Sequence, residues 1–205
     1  MFTLKAIIRN RFAPFILPIL SALFAMAMLA TVTSPAYAYV KYGRWSGRSS
    51  EFRNYISGAP FPTNATALVA NAAAKWSQAS TGKKFTLYNY QNISGPVRIS
   101  TAGANFPAHN WPDIWPAYTL VSFNTNGYLS STTIYVNKSW SWNTACTLNQ
   151  SKKQADFRVI ITHELGHTVS LNHDPNHTEA IMWPDFTCKL NLTADDKNGI
   201  GALYP

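Results

Sequence analysis

The chain has 205 residues, of which 46% are hydrophobic and 13% charged, and its formal net charge is +8 at pH 7. That length suits one domain with its own hydrophobic core and leaves little room for a second. The basic residues are scattered along the chain, which is typical of a solvated surface and argues against a nucleic-acid-binding stripe.

Residues 1–38 are predicted to be a secretory signal peptide. An apolar run from Phe12 to about Ala30 is followed by the small-residue pattern Ala36-Tyr37-Ala38, after which cleavage is expected. The run is preceded by three basic residues, Lys5, Arg9 and Arg11. A retained membrane anchor is the alternative, because the run is just long enough to span a bilayer, but two prolines within it argue against an anchor. We therefore expect a secreted, extracellular protein without a membrane partner.

Residues 39–205 are predicted to form a single domain. Loss of the three basic residues of the signal peptide lowers the net charge from +8 to +5. A basic surface favours anionic partners such as cell-wall polymers, or it serves solubility alone. We expect a monomer that binds no nucleic acid.

The first part of this domain is predicted to contain one helix among several strands. The helix spans Asn64–Ser80, because its apolar residues recur at helical spacing and a Thr81-Gly82 pair follows. Five segments have the composition of strands: Lys41–Trp45, Phe85–Tyr90, Val97–Thr101, Thr119–Asn124 and Ser131–Asn137. A loop is predicted at Ala104–Pro116, and an Asn126-Gly127 turn joins the last two strands.

A second long helix is predicted from about Lys152 to Ser170. Within it, His163 and His167 are four residues apart, so they lie on one face about a turn apart and their ring nitrogens can bind one ion. Glu164 points to a neighbouring side, from which a carboxylate can reach a metal-bound water without binding the metal itself. That arrangement suits a general base.

His173 must reach the same ion from outside the helix. It follows His163 by ten residues, about 15 Å of helical rise, which is too far for ligand bonds of about 2 Å on a straight helix. The chain must therefore turn sharply after roughly Val169. Two histidines from a helix and one from the segment that leaves it form a three-histidine site with an open fourth position, as a catalytic zinc requires. For each histidine taken alone, an ordinary surface or core residue is the alternative.

Three motifs of this region resemble the metzincin clan of zinc endopeptidases, in particular its matrixin-like branch. The first is the pattern HExxHxxxxxH, which begins at His163. The second is "AIMWP", Ala180–Pro184, which resembles the Met-turn, a tight turn whose methionine, here Met182, lies beneath the metal. The third is "LTADDKNGIGALYP", Leu192–Pro205, which is similar to the C-terminal helix of matrixins.

The resemblance implies an α+β, zincin-like fold with a twisted mixed five-stranded sheet, two long helices, a Met-turn and a C-terminal helix. Asp195 or Asp196 is expected to support the Met-turn. Upstream, "TTIYVN", Thr132–Asn137, is similar to the edge strand against which these enzymes align a substrate.

The implied activity is that of a secreted zinc-dependent metalloendopeptidase, which hydrolyses peptide bonds of protein or peptide substrates by a zinc-activated water. Glu164 is the expected general base. One catalytic Zn²⁺ is expected on three ligands, His163, His167 and His173.

Three features depart from the family pattern. Matrixins usually have glycine where this chain has Ser170, at the point where the helix must break and a positive φ is expected. The interval to Met182 is slightly longer than usual and contains Asp174 and His177, which compete with His173 as the third ligand. We rank His173 first. The acidic loops that bind calcium in animal matrixins are not evident, and calcium binding is left open.

The two cysteines of the chain, Cys146 and Cys188, are predicted to form a disulfide, because an exported protein meets an oxidising compartment. Closing this loop contributes roughly 3 to 4 kcal/mol to stability. Two free thiols or a cysteine ligand to a metal are the alternatives.

Two other functions stay open on the sequence alone. A secreted binding module would stack exposed aromatic side chains on sugars or peptides and keep a metal for structure only. Its candidate aromatics are Trp111, Trp115, Trp140 and Trp142. A peptidase directed at cell-wall peptides would bind them through its basic surface. The intact Glu164 argues against the binding module, since a structural zinc site is normally closed by a fourth protein ligand.

Overall fold

The computed structural model describes residues 43–47, 49–54, 56, 59–79, 86–90, 97–102 and 114–205. The predicted signal peptide, the first two residues of the predicted strand Lys41–Trp45 and most of the predicted loop Ala104–Pro116 lie outside these ranges. Among the described helices, none has the length and apolar character needed to cross a membrane.

Five strands form a mixed sheet, in which they are ordered β2-β1-β3-β5-β4. In chain order they are β1 (Ser49–Asn54), β2 (Thr86–Tyr90), β3 (Val97–Ala102), β4 (Ala117–Phe123) and β5 (Leu129–Asn137). The neighbours β2-β1, β1-β3 and β3-β5 are parallel, whereas β4 runs antiparallel to β5. β4 therefore lies at one edge of the sheet.

One sequence-based assignment in this sheet is wrong. The segment Thr132–Asn137, expected to be the edge strand, belongs to β5 and lies between β3 and β4. The described part of the predicted strand Lys41–Trp45 makes only a single bridge, between Arg44 and Tyr128. β1 was not predicted, because "SSEFRN" lacks the apolar alternation that marks a strand.

Helix α1 (Ala65–Ala79) closely matches the predicted helix Asn64–Ser80. Its buried face consists of small and aromatic residues: Ala65, Val69, Ala72, Ala73 and Trp76. It connects the parallel strands β1 and β2, which cannot be joined by a tight turn and need such a crossover. The indole N–H of Trp76 donates a hydrogen bond of 2.8 Å to the carbonyl of Thr162, which ties α1 to the second helix.

Helix α2 (Phe157–Thr168) begins later than the predicted start at Lys152. The reason is that residues just before it form a strand, β8 (Gln154–Asp156). β8 pairs with β6 (Ser141–Asn143) and β7 (Leu148–Asn149) in a small three-stranded sheet that the sequence did not reveal.

Helix α3 (Ala194–Leu203) is the last element and begins with a capping box, in which Thr193 and Asp196 satisfy each other's backbone N–H groups. The core contains large, fully buried side chains from both long helices and from the sheet, such as Trp76, Phe157 and Ile134. Helices packed on a mostly parallel mixed sheet confirm the predicted α+β class.

The predicted disulfide is present between Cys146 and Cys188, whose Cα atoms are 5.2 Å apart. It joins the connection between β6 and β7 to the loop that precedes α3. The two sulfurs are 42 residues apart in sequence, so the bond closes a long loop.

Candidate metal centre

The position of the metal-binding helix is set at its first turn. Asp156 lies in an extended conformation and its carboxylate accepts hydrogen bonds from the backbone N–H groups of Arg158 and Val159, as an N-cap does. The guanidinium of Arg158 also binds this carboxylate, at 2.6 Å. Burial by itself raises the pKa of Asp156, but the hydrogen bonds from Arg158 and from the backbone of Cys146 outweigh it and lower the pKa. The cap is therefore ionised at neutral pH.

The structure brings the three predicted histidines together. His163 and His167 lie one turn apart on α2, and His173 reaches them from the segment beyond the helix. The ligand-type nitrogens of the three rings all lie within 4.8 Å of one another. The two Nε2 atoms of His163 and His173 are 3.1 Å apart, and the ring centroids are separated by 4.8 to 5.1 Å. Such a group can surround one ion.

Backbone carbonyls fix the orientation of two of these rings. The Nδ1–H of His163 donates to the carbonyl of Ile181, and the Nδ1–H of His167 donates to the carbonyl of Leu171, both at 2.7 Å. A carbonyl can only accept, so each ring carries its proton on Nδ1, and its Nε2 bears the lone pair that can bind a metal. Outer hydrogen bonds of this kind are the usual support of metal-binding imidazoles.

The surroundings also keep the imidazoles uncharged. Burial, followed by the proximity of His173, lowers the pKa of His163 to about 4. Burial and the two neighbouring rings lower the pKa of His167 well below its ordinary value. At neutral pH both rings are therefore neutral, which is the form that binds a metal.

The sharp turn that His173 requires is confirmed at the end of α2. Leu171 N–H donates to the carbonyl of Gly166 at 3.1 Å, and Ser170 N–H donates to the carbonyl of His167 at 3.0 Å. This pair of bonds is a Schellman motif, in which the residue after the C-cap adopts a left-handed conformation. Ser170 occupies that place with φ = 80°. Its buried hydroxyl accepts a hydrogen bond of 3.2 Å from the backbone N–H of Gly43.

Substitution of Ser170 tests whether the turn is strained. Ser170→Gly is expected to leave the free energy of unfolding nearly unchanged. Relief of strain, on the order of 1 kcal/mol, is offset by the lost hydrogen bond from Gly43 and by a more flexible unfolded chain. Ser170→Ala keeps the positive φ and loses the same bond, so it should be about 1 kcal/mol less stable than the native protein. Urea unfolding of the zinc-loaded proteins measures both, and an alanine variant more stable than the glycine variant would contradict the strained turn.

The last carbonyls of α2 are bound by two side chains that are distant in sequence. The indole N–H of Trp45 donates to the carbonyl of Thr168 at 2.8 Å, and the hydroxyl of Tyr204 donates to the carbonyl of Val169 at 3.3 Å. The same hydroxyl accepts the backbone N–H of Trp45 at 3.3 Å. Carbonyls that a helix end leaves without an intrahelical partner are thereby satisfied.

Glu164 lies beside the histidines with its side chain buried at 6% exposure. Its Oε2 accepts a hydrogen bond of 2.5 Å from the hydroxyl of Thr119, and its backbone carbonyl accepts from the same hydroxyl at 3.2 Å. Burial raises the pKa of Glu164 to about 7, although the bond from Thr119 acts in the opposite direction. Thr119 was not among the predicted site residues. It lies on the edge strand β4, and nothing in its sequence surroundings indicates a contact with α2.

Met182 and the residue before it are held by a carboxylate of α3. Asp196, itself buried, accepts the backbone N–H groups of Ile181 at 3.0 Å and of Met182 at 3.2 Å. Of the two aspartates expected to support this segment, Asp196 is therefore the one in contact with it. The buried sulfur of Met182 packs against α2 at Gly166, where a Cβ atom would lie only 2.2 Å from it. Glycine is thus required for the close approach.

The two residues that competed with His173 lie in a different group. His177 Nδ1 is 3.0 Å from the Oδ2 of Asp174, and these two residues gather with Asp195 at the start of α3. Asp174 is buried, and its backbone N–H donates to the carbonyl of Met182. Neither Asp174 nor His177 belongs to the group formed by the three histidines.

A cavity of about 460 Å³ opens beside the histidines. One side is formed by β4, including Tyr118 and Thr119, and another by the apolar residues Val159 and Ile160 of α2. It is also lined by Leu148 and Gln150, in and just after β7, and by Phe186 and Thr187 from the loop that precedes α3. The cavity is large enough for a bulky side chain of a ligand, and it lies directly against the metal-binding group.

Comparison with known proteins agrees with this site. Residues 61–205 match the family model described as matrixin. A stretch of 54 residues is 39% identical to stromelysin-1 of the horse, Equus caballus, and this match covers 24% of the chain and 11% of the horse protein. The chain thus matches only a small part of that relative. Because the family model covers most of the chain, including α1, α2 and the three histidines, the chain belongs to the matrixin family of zinc metalloendopeptidases.

Proposed function

We propose that the chain is a secreted zinc metalloendopeptidase, with residues 1–38 as its signal peptide and residues 39–205 as its catalytic domain. One observation carries the proposal: a group of three imidazoles and a buried carboxylate that together face a cavity beside an edge strand. Membership in the matrixin family supports it. The disulfide is consistent with export to an oxidising compartment.

The donor set fits a catalytic zinc. Imidazole nitrogen is a preferred zinc ligand, the rings of His163 and His167 are neutral, and backbone carbonyls orient both of them. Among the described residues the group has three members, which leaves a fourth position for water or substrate. When bound, the zinc supplies a water of lowered pKa and polarises the carbonyl of the substrate.

Glu164 is proposed as the general base. Its carboxylate accepts the proton of the attacking water and then gives it to the amine that leaves when the peptide bond breaks. Thr119 holds one carboxylate oxygen, which restricts the rotation of the side chain and keeps the other oxygen available. Burial removes competing water from the carboxylate, so its proton transfers take place in a site of low dielectric constant.

The substrate is proposed to be an extended peptide. The edge strand β4 offers backbone groups to which a peptide can add as a further strand, and Thr119 places that strand directly beside Glu164. A substrate side chain then enters the cavity, whose apolar lining favours an apolar residue. Met182 is proposed as the methionine of a Met-turn, since it packs against α2 at Gly166, the residue before His167.

The alternative of an aromatic binding module loses support. Trp140 and Trp142, two of its four candidate aromatics, are buried in the core at 1% and 8% exposure. Trp115 is exposed, but it lines the cavity of the candidate active site. The fold thus uses two of the four rings for packing, so that they cannot stack on a sugar or peptide, and Trp111 lies outside the described residues.

Zinc content tests the ligand assignment. The purified native protein is expected to contain about one zinc per chain, and His167→Ala should lose most of it, because two imidazoles bind zinc far more weakly than three. His177→Ala is the matched control, since it removes an imidazole from the neighbouring Asp174 group and should leave the zinc in place. Elemental analysis after dialysis measures the metal. Full zinc in the His167 variant, or equal losses in both variants, would contradict the site.

A further inference from the structure

Two loops, the one around the short strand β7 and the one before α3, line part of the cavity and are connected by a disulfide. Leu148 and Gln150 line it from the first loop, and Phe186 and Thr187 line it from the second. We call these four residues the outer wall. Cys146 precedes Leu148 by two positions, and Cys188 follows Thr187 directly. The disulfide therefore connects the two loops within two residues of the outer wall in sequence.

The first of the two loops is anchored to the framework of the metal site. The backbone N–H of Cys146 donates to the Oδ2 of Asp156 at 2.6 Å, and Asp156 is the N-cap of α2. Asp156 N–H in turn donates to the carbonyl of Thr147 at 2.8 Å, and Leu148 pairs with Ala155 in the small sheet. Cys146 is thus fixed relative to the helix that carries His163 and Glu164.

The second loop lacks such a framework. Residues 183–190 form neither helix nor strand, and the backbone hydrogen bonds that begin in them, from Trp183 to Ala180 and from Lys189 to Thr187, stay within local turns. The side chains of Lys189 and Lys75 hold the loop only near its end, through the carbonyls of Thr178 and Leu190. Cys188 is exposed, so a reductant can reach the bond.

We propose that the Cys146–Cys188 disulfide is a specificity determinant of the enzyme: it holds the outer wall at a fixed distance from α2 and so limits the size of the substrate side chain that the cavity accepts. This inference rests on the proposed peptidase function. A wall held covalently cannot move back to admit a larger residue or close on a smaller one. An outer wall that is free to move accommodates larger and smaller substrate side chains at a modest cost in binding free energy. The enzyme then discriminates less between substrates of different size.

The experiment compares two series of peptides, which differ either at the residue before or at the residue after the cleaved bond, with Ala, Val, Leu, Phe or Trp there. The native enzyme is expected to prefer one size. In the double variant Cys146→Ser/Cys188→Ser, the ratio of kcat/KM between the best and the worst peptide should fall by about 5- to 10-fold, mainly through KM. Reduction of the native enzyme by a phosphine, with zinc added in excess, should reproduce this change, and reoxidation should restore the original ratio.

Two controls separate specificity from general damage. The double variant should not respond to the phosphine, since it has no disulfide to lose. If the double variant does not fold, insertion of one glycine between Thr187 and Cys188 gives the same comparison, because it keeps the bond but lengthens the connection to the outer wall.

The outcomes are distinct. An equal fall in kcat/KM for all peptides would show that the disulfide serves stability alone and would overturn the proposal. The proposal would also be overturned if reduction of the native enzyme left the ratio of kcat/KM between the best and the worst peptide unchanged. A native, zinc-loaded enzyme that cleaves none of the peptides or proteins offered would instead refute the peptidase function, and the inference would fall with it.

Discussion

Glu164→Gln is expected to lower kcat for peptide hydrolysis by about 100- to 10,000-fold while the protein keeps its fold and its zinc. Glutamine has the size of glutamate and can still accept the hydrogen bond from Thr119 through its amide oxygen. It cannot take a proton from water. The expected loss therefore isolates proton transfer from packing and from metal binding.

The matched control makes the same substitution at an exposed carboxylate. Glu179 lies on the surface, in the segment between His173 and Met182. Because its side chain is exposed and is proposed to contact no reacting group, Glu179→Gln should leave kcat within about twofold of the native value. Steady-state kinetics, zinc content and thermal unfolding of both variants complete the test. An active Glu164→Gln enzyme with full zinc would mean that another group receives the proton.

The largest loss of stability is expected at Asp196. Its buried carboxylate accepts the backbone N–H groups of Ile181, Met182 and Thr193, the last at 2.8 Å. Asp196→Ala leaves these donors without their partner, at about 1 to 3 kcal/mol for each one that stays buried. We expect the free energy of unfolding to fall by roughly 3 to 5 kcal/mol. Because the carbonyl of Ile181 orients His163, zinc affinity should fall as well.

Asp195, the residue before Asp196, provides the control for this prediction. Burial, and then the nearby charge of Asp174, raise the pKa of Asp195 to about 6. A carboxyl whose pKa is raised in the folded state opposes folding when it ionises, so at pH 7 its removal costs little. Asp195→Ala should change the free energy of unfolding by less than about 1 kcal/mol. Urea unfolding of the two variants at pH 7 compares them, and equal losses would show that the support of Met182 does not depend on Asp196.

The spacing of residues along the sequence predicted those parts of the molecule whose structure depends on a single segment of the chain. Helix α1 follows from apolar residues at helical intervals, and the metal group follows from the four-residue spacing of His163 and His167. The turn at Ser170 also follows from the sequence, because His173 can join the other two histidines only if the chain leaves the helix there.

Features that depend on a distant partner were missed. The helix begins later than predicted because Gln154–Asp156 pairs with two other strands as β8, and helical spacing cannot reveal that competition. The contact of Thr119 with Glu164 joins residues 45 positions apart. The sequence also could not predict whether Trp140 and Trp142 are exposed or buried, because an indole can stack on a ligand at the surface or pack in the core. The structure places both in the core.

The binding of the end of α2 by Trp45 and Tyr204 has a consequence for the order of folding. Trp45 is 123 residues from Thr168, and the contact between Trp45 and Tyr204 spans 159 residues. Contacts of such long range close large loops and form late, after local helices and hairpins. We therefore expect the turn that presents His173 to be completed only when both of these residues have docked. A folding intermediate should then contain α2 with His163 and His167 already one turn apart, while His173 joins them only when the whole domain has folded.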